Sequence, residues 1–101
     1  MKVDILDVGS GNISSVYNWV EKANISARVV THANDISSNF MILPGVGSAG
    51  SYMERINYGK FDQAILEHVD KGRRLLGICL GFQIMASFSE ESGGVQGLNL
   101  L

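Results

Sequence analysis

The chain has one cysteine, Cys79, and one proline, Pro44, in 101 residues. A single cysteine excludes an internal disulfide and fits a reducing cytoplasm, where the protein is expected to reside. One cysteine and two separated histidines, His32 and His68, supply no metal-ligand spacing, so neither metal nor cofactor is expected. Charge is also sparse. Charged residues are 18% of the chain and the formal net charge is −2, which gives no electrostatic case for nucleic acid or an anionic membrane. The longest apolar stretch, around Leu75 to Ala86, is interrupted by Gln83 and is too short to span a bilayer. Asp4 and Asp7 break any signal-peptide apolar region at the start. No internal repeat or low-complexity tract occurs, and no histidine follows Cys79.

What is present describes one globular domain with a modest core, at 46% hydrophobic residues. Val3 to Val8 reads as a first strand, followed by a turn at Gly9-Ser10-Gly11-Asn12. Ile13, Val16, Tyr17, Val20 and Ala23 recur at helical spacing, with Asn12 or Ser10 as N-cap. Ala27 to Thr31 is a second strand and residues 33 to 39 a loop or short helical turn. Phe40 to Leu43 is a third strand, stopped by Pro44-Gly45. Helices are expected over about Ala49 to Ile56 and from Phe61, the latter turning Ile65, Leu66 and Val69 inward and capped at Lys71-Gly72 with the glycine left-handed. Leu75 to Ile78 is a fourth strand. A helix from about Leu80 to Phe88 follows, and Leu98 to Leu101 begins another strand. Strands alternating with helices predict an α/β fold, a parallel sheet with helices on both faces.

Gly77-Ile78-Cys79-Leu80-Gly81-Phe82-Gln83 is the most informative segment. An apolar strand, a tight turn and a helix make a nucleophile elbow, here with cysteine as nucleophile. The residues two before and two after the nucleophile must be small because strand and helix pass closely, and Gly77 and Gly81 stand there. A thiol at a helix N-terminus is favoured as thiolate. The competing reading is a buried packing cysteine. Three glycine-containing loops, at Gly9 to Asn12, Pro44 to Ser48 and Cys79, fall at the carboxyl ends of strands, where parallel sheets collect function. Gly9-Ser10-Gly11 lacks the third glycine of a phosphate-binding fingerprint, having Ser14 instead, and is read as a plain strand-to-helix turn. In Pro44-Gly45-Val46-Gly47 the glycines let backbone N–H groups turn toward a developing oxyanion, with the N–H of Leu80 as the second donor. His32 and His68 are expected on the surface, not as catalytic bases.

Gly11-Asn12, Leu43-Pro44-Gly45-Val46-Gly47-Ser48 and the elbow segment together resemble class I glutamine amidotransferases. The Gly-Asn turn and Pro-Gly-Val-Gly loop narrow the resemblance to glutaminase subunits of imidazole glycerol phosphate synthase. Glu90-Glu91 and Gly97-Leu98 fit the same pattern, so the match covers essentially the whole chain. The resemblance implies a flavodoxin-like amidotransferase fold and hydrolysis of L-glutamine to glutamate and ammonia through a cysteinyl thioester on Cys79. Backbone groups of Gly45, Val46, Gly47 and Leu80 would hold the oxyanion. Gln83 and Glu91 would bind substrate, and Asn12 would face the partner, a (β/α)8-barrel cyclase that receives the ammonia. Gln83 as a helix polar residue, Glu90-Glu91 as an exposed acidic pair and Asn12 as a helix cap are the competing readings.

The family also uses a downstream His-x-Glu, and this chain ends 22 residues after Cys79. Residues 1–101 are thus expected to be the N-terminal part of a single glutaminase domain, apparently truncated, with weak or no turnover alone. Ala49-Gly50 follows Ser48 where a bulky or aromatic residue is common in the family. Such departures keep open a paralogue serving another synthase, such as one forming an amino sugar. Two more readings compete with these: a non-catalytic binding module, and a different elbow-cysteine or flavodoxin-like protein using His32 as base.

Overall fold

The computed structural model describes residues 2–9, 13–47, 49–79, 81, 84–85, 88–89, 95–98 and 100. Strands β1 (Lys2–Leu6), β2 (Ser26–Val30), β3 (Phe40–Gly45) and β4 (Arg74–Cys79) form one sheet in the order β2-β1-β3-β4, every pair parallel. Helices α1 (Ile13–Lys22), α2 (Ala49–Tyr58) and α3 (Phe61–Asp70) make the crossovers, with a short 3-10 turn at Ala33–Asp35 before β3. A small antiparallel pair, β5 (Phe88–Ser89) and β6 (Val95–Gln96), lies beyond the sheet.

The two-residue alternation of the strands sorts the core into two layers. Val3, Ile5 and Ile42 point to one face and pack with Val20 of α1. Leu6, Met41 and Leu43 point to the other and pack with Tyr52, Met53 and Ile56 of α2 and Phe61 and Ile65 of α3. Helices therefore cover both faces, as the strand–helix alternation predicts. Ile5, Leu6, Ile56 and Ile65 are fully buried, each worth ~2 kcal/mol of transfer free energy.

Four details depart from the expectations. First, β3 continues through Pro44 and Gly45. Pairing with β1 ends at Ile42, and the Pro44 carbonyl accepts the Tyr52 hydroxyl, so the missing proline N–H costs no ladder bond on that side. Second, on α3, Leu66 is exposed and His68 is buried, at 39% and 2%. Phe61, Ile65 and His68 fall on one helical face, and His68 Nε2 lies 2.7 Å from the Arg74 carbonyl oxygen, a partner that permits burial. Third, Ile84 and Met85 form a turn and Phe88–Ser89 a strand, where a helix to Phe88 is expected. A helix would give the Ile84 carbonyl to Phe88, but it accepts the Leu98 N–H at 2.7 Å, and the Met85 carbonyl accepts the Leu100 N–H at 2.6 Å. Fourth, the late strand is β6, ahead of Leu98, because Gln96 and Val95 pair with β5. The left-handed glycine at Gly72 is as expected, with φ 75°.

Asp4 is fully buried in β1. Its carboxylate accepts the N–H groups of Ser37 and Ser38 at 2.8 and 2.9 Å and the Ser38 hydroxyl at 3.0 Å, and pairs with the Arg28 guanidinium at 3.1 Å. Burial alone pushes this carboxyl up. The N–H groups of Ser38 and Ser37, the Ser38 hydroxyl and Arg28 outweigh it and hold Asp4 below its ordinary 3.8. The depressed folded value means this stabilisation is complete above the unfolded value and fades as pH falls through the folded one. Asp4→Asn is expected to cost about 3 kcal/mol at neutral pH. The gap to the wild type should narrow as pH is lowered below about 4, read from urea midpoints along a pH series.

Candidate active site

Cys79 is the last residue of β4 and is exposed. Its φ is +52°, a left-handed backbone that a cysteine adopts only at a cost of roughly 1 kcal/mol or more. The bend turns the chain out of the sheet at its carboxyl edge and leaves the thiol at the bend, the geometry of a nucleophile elbow. Gly81 supplies the close passage. A Cβ built there would stand 2.7 Å from the Leu43 carbonyl carbon and nearer still to its oxygen, so the segment after the elbow crosses directly over β3. Ile84 and Leu98 then bury into the layer containing Leu43 and Tyr52.

The register of β3 and β4 places Gly45 opposite Cys79. The loop Gly45-Val46-Gly47 therefore leaves the sheet beside the thiol. Gly45 is buried, Val46 is exposed, and Gly47 has φ +102°, with open space where a Cβ would be. Such a loop can present successive N–H groups to one side.

Two residues of α2 hold the loops of this edge. The Tyr52 hydroxyl donates to the Pro44 carbonyl, and Arg55 Nη1 donates to the Gly9 carbonyl. Gly9 has φ +83° and its N–H donates to Asp7 Oδ1 at 2.9 Å, closing the turn after β1. Burial pushes the Tyr52 hydroxyl up from its ordinary value, so it stays a donor throughout the neutral range. Sequence reasoning missed both residues. The usable signal was a tyrosine at a core-facing helical position, since a buried phenol needs a hydrogen-bond partner.

The histidines do not join the thiol. His32 lies past the end of β2, three strand spacings from β4, or about 14 Å at about 4.8 Å per spacing. His68 lies near Arg74, at the opposite end of β4. That end also carries a cavity of about 740 Å³ lined by Lys2, Lys71, Arg73 and Arg74, remote from Cys79 by the length of the strand. Asn12, Leu80, Gln83 and Glu91 lie outside the described residues. Among the described residues no cluster of three His, Cys, Asp or Glu side chains could hold a metal, and no helix is long and apolar enough to cross a membrane.

Residues 4–95 match the glutamine amidotransferase class-I family. The chain belongs to this family. As a class I amidotransferase chain it is 45% identical over 100 residues to the imidazole glycerol phosphate synthase subunit HisH of Chlorobaculum tepidum, and 41% identical over 100 residues to the subunit of the same name from Bacillus subtilis. Each alignment takes in 98% of this chain but 50% and 47% of the relative, so the chain spans about half the length of the curated relatives it matches. The amidotransferase fold is also similar to the crystal structure of a peptidase E candidate from Listeria monocytogenes EGD-e. The TM-score is 0.78 at 15% identity, covering 99% of this chain and 62% of that one.

Proposed function

We propose that the chain is the N-terminal part of a glutaminase domain that hydrolyses L-glutamine and passes the ammonia to a synthase partner in histidine biosynthesis. The observation that carries this is Cys79 in a left-handed bend at the end of β4, with Gly45 as its strand neighbour. Family membership and the relatives' name, a subunit of imidazole glycerol phosphate synthase, support the amidotransferase reaction and a synthase partner; in this reading the partner is a (β/α)8-barrel cyclase and the two form a cytoplasmic heterodimer.

In this reading the Cys79 thiolate attacks the amide carbon of glutamine, and the carbonyl oxygen takes the electron pair as an oxyanion. N–H groups from Gly45 to Gly47, with that of Leu80, stabilise it. The C–N bond breaks as the leaving nitrogen takes a proton, releasing ammonia and a glutamyl thioester. Water then cleaves the C–S bond, giving glutamate and the free thiol. Gln83 and Glu91 position the amino acid and Asn12 meets the partner. Neither His32 nor His68 reaches Cys79, so this half of the domain contributes nucleophile and oxyanion donors. The base and its carboxylate belong to the His-x-Glu expected in the other half.

A chloroketone analogue of glutamine tests the reading. In the complete enzyme it should label Cys79 stoichiometrically, and excess glutamine should slow labelling at least ~10-fold, as competition for one site requires. Labelling that glutamine leaves unchanged would favour the non-catalytic binding module.

A further inference from the structure

We propose that Tyr52 is a positioning residue for glutamine hydrolysis, holding the root of the oxyanion loop so that its N–H groups face Cys79. The proposal rests on the glutaminase reading and assigns a role to a side chain outside the nucleophile and its donors.

Tyr52 is 1% exposed, and its hydroxyl donates to the carbonyl of Pro44, the residue before the loop. The amide plane joining Pro44 to Gly45 is rigid, so fixing its carbonyl also fixes the direction of the Gly45 N–H. The ring enforces the same placement sterically. A Cβ at Gly45 would lie 2.8 Å from Tyr52 Cδ2 and nearer still to Cε2, so the aromatic edge occupies the space a side chain would take. Gly45 is also strand-paired with Cys79. One phenol therefore grips the peptide that leads into Gly45, the strand neighbour of Cys79.

Oxyanion donors act on the transition state more than on bound substrate. Tyr52→Phe keeps the ring and removes only the hydroxyl. In the complete enzyme with its synthase, kcat for glutamine should fall about 10-fold, with KM and the rate of Cys79 alkylation by iodoacetamide each within about twofold of wild type. Replacement by 4-aminophenylalanine, which restores a weaker donor, should recover part of the loss and leave kcat a few-fold below wild type. A merely structural tyrosine would instead lower the melting midpoint and leave kcat per folded molecule unchanged, and that result overturns the proposal. Should Tyr52→Phe fail to fold, the 4-aminophenylalanine protein carries the test alone. Its weaker donor should leave kcat a few-fold below wild type at unchanged KM, and a wild-type kcat overturns the proposal. Wild-type enzyme that releases no ammonia, or is unaffected by loss of Cys79, removes the glutaminase reading itself. Turnover that needs Cys79 but ignores Tyr52 removes only this proposal.

Discussion

Cys79→Ala in the complete enzyme is expected to reduce glutamine-dependent ammonia release by roughly three orders of magnitude or more, because no other group can form the acyl intermediate. The loss should be confined to one half-reaction. Synthase turnover supplied with free ammonium should persist, since in the proposed reaction Cys79 only generates the ammonia. Cys79 sits at a bend on the surface, not in either core layer, so the variant should fold with an unchanged denaturation midpoint. Parallel assays with glutamine and with ammonium salts measure both arms. Ammonia release surviving in the alanine protein would remove Cys79 as nucleophile and with it the central assignment.

Gly81→Ala should produce the largest stability loss of any single methyl added to the chain's described glycines. The new Cβ would collide with the Leu43 carbonyl, a main-chain group with Gly77 as its strand partner. Relief requires β3 and β4 to part, or the segment carrying Ile84 to lift off the core. A loss of at least about 3 kcal/mol is expected from such overpacking. Gly72→Ala provides the contrast. Its φ is +75° and a Cβ there meets nothing, so only backbone strain of about 1 kcal/mol applies. Urea titrations of the two variants separate collision from strain. If Gly81→Ala costs no more than Gly72→Ala, the close crossing over Leu43 is wrong, and the elbow geometry with it.

Much of this was legible in the residues because the demands are local. Gly77, Cys79 and Gly81 encode a strand that bends and whose continuation passes closely over its neighbour β3, which few residue types tolerate. Short apolar runs at Val3, Phe40 and Leu75 encode strands, the first two buried and the third half-buried at the sheet edge, and their alternation with helical spacing implies parallel crossovers. What escaped depends on distant partners. Tyr52 finds its acceptor 8 residues back and Arg55 reaches a carbonyl 46 residues away. Asp4 is buried because groups 33 and 34 residues further on satisfy it. His68 looked like a surface residue until the Arg74 carbonyl supplied a partner. The stretch after the elbow carries helical apolar spacing, yet Leu98 and Leu100 take carbonyls that a helix would have used.

The left-handed φ of Cys79 also bears on how such a sequence drifts. Glycine at this position would relax the bend, so replacing the proposed nucleophile with glycine should steady the fold slightly. If the proposed ammonia production were no longer selected, descendants would gain by losing the cysteine early, while the glycines at Gly45 and Gly81, which the packing itself requires, would outlast it. A relative with both glycines but no thiol would be the fossil of an abandoned activity.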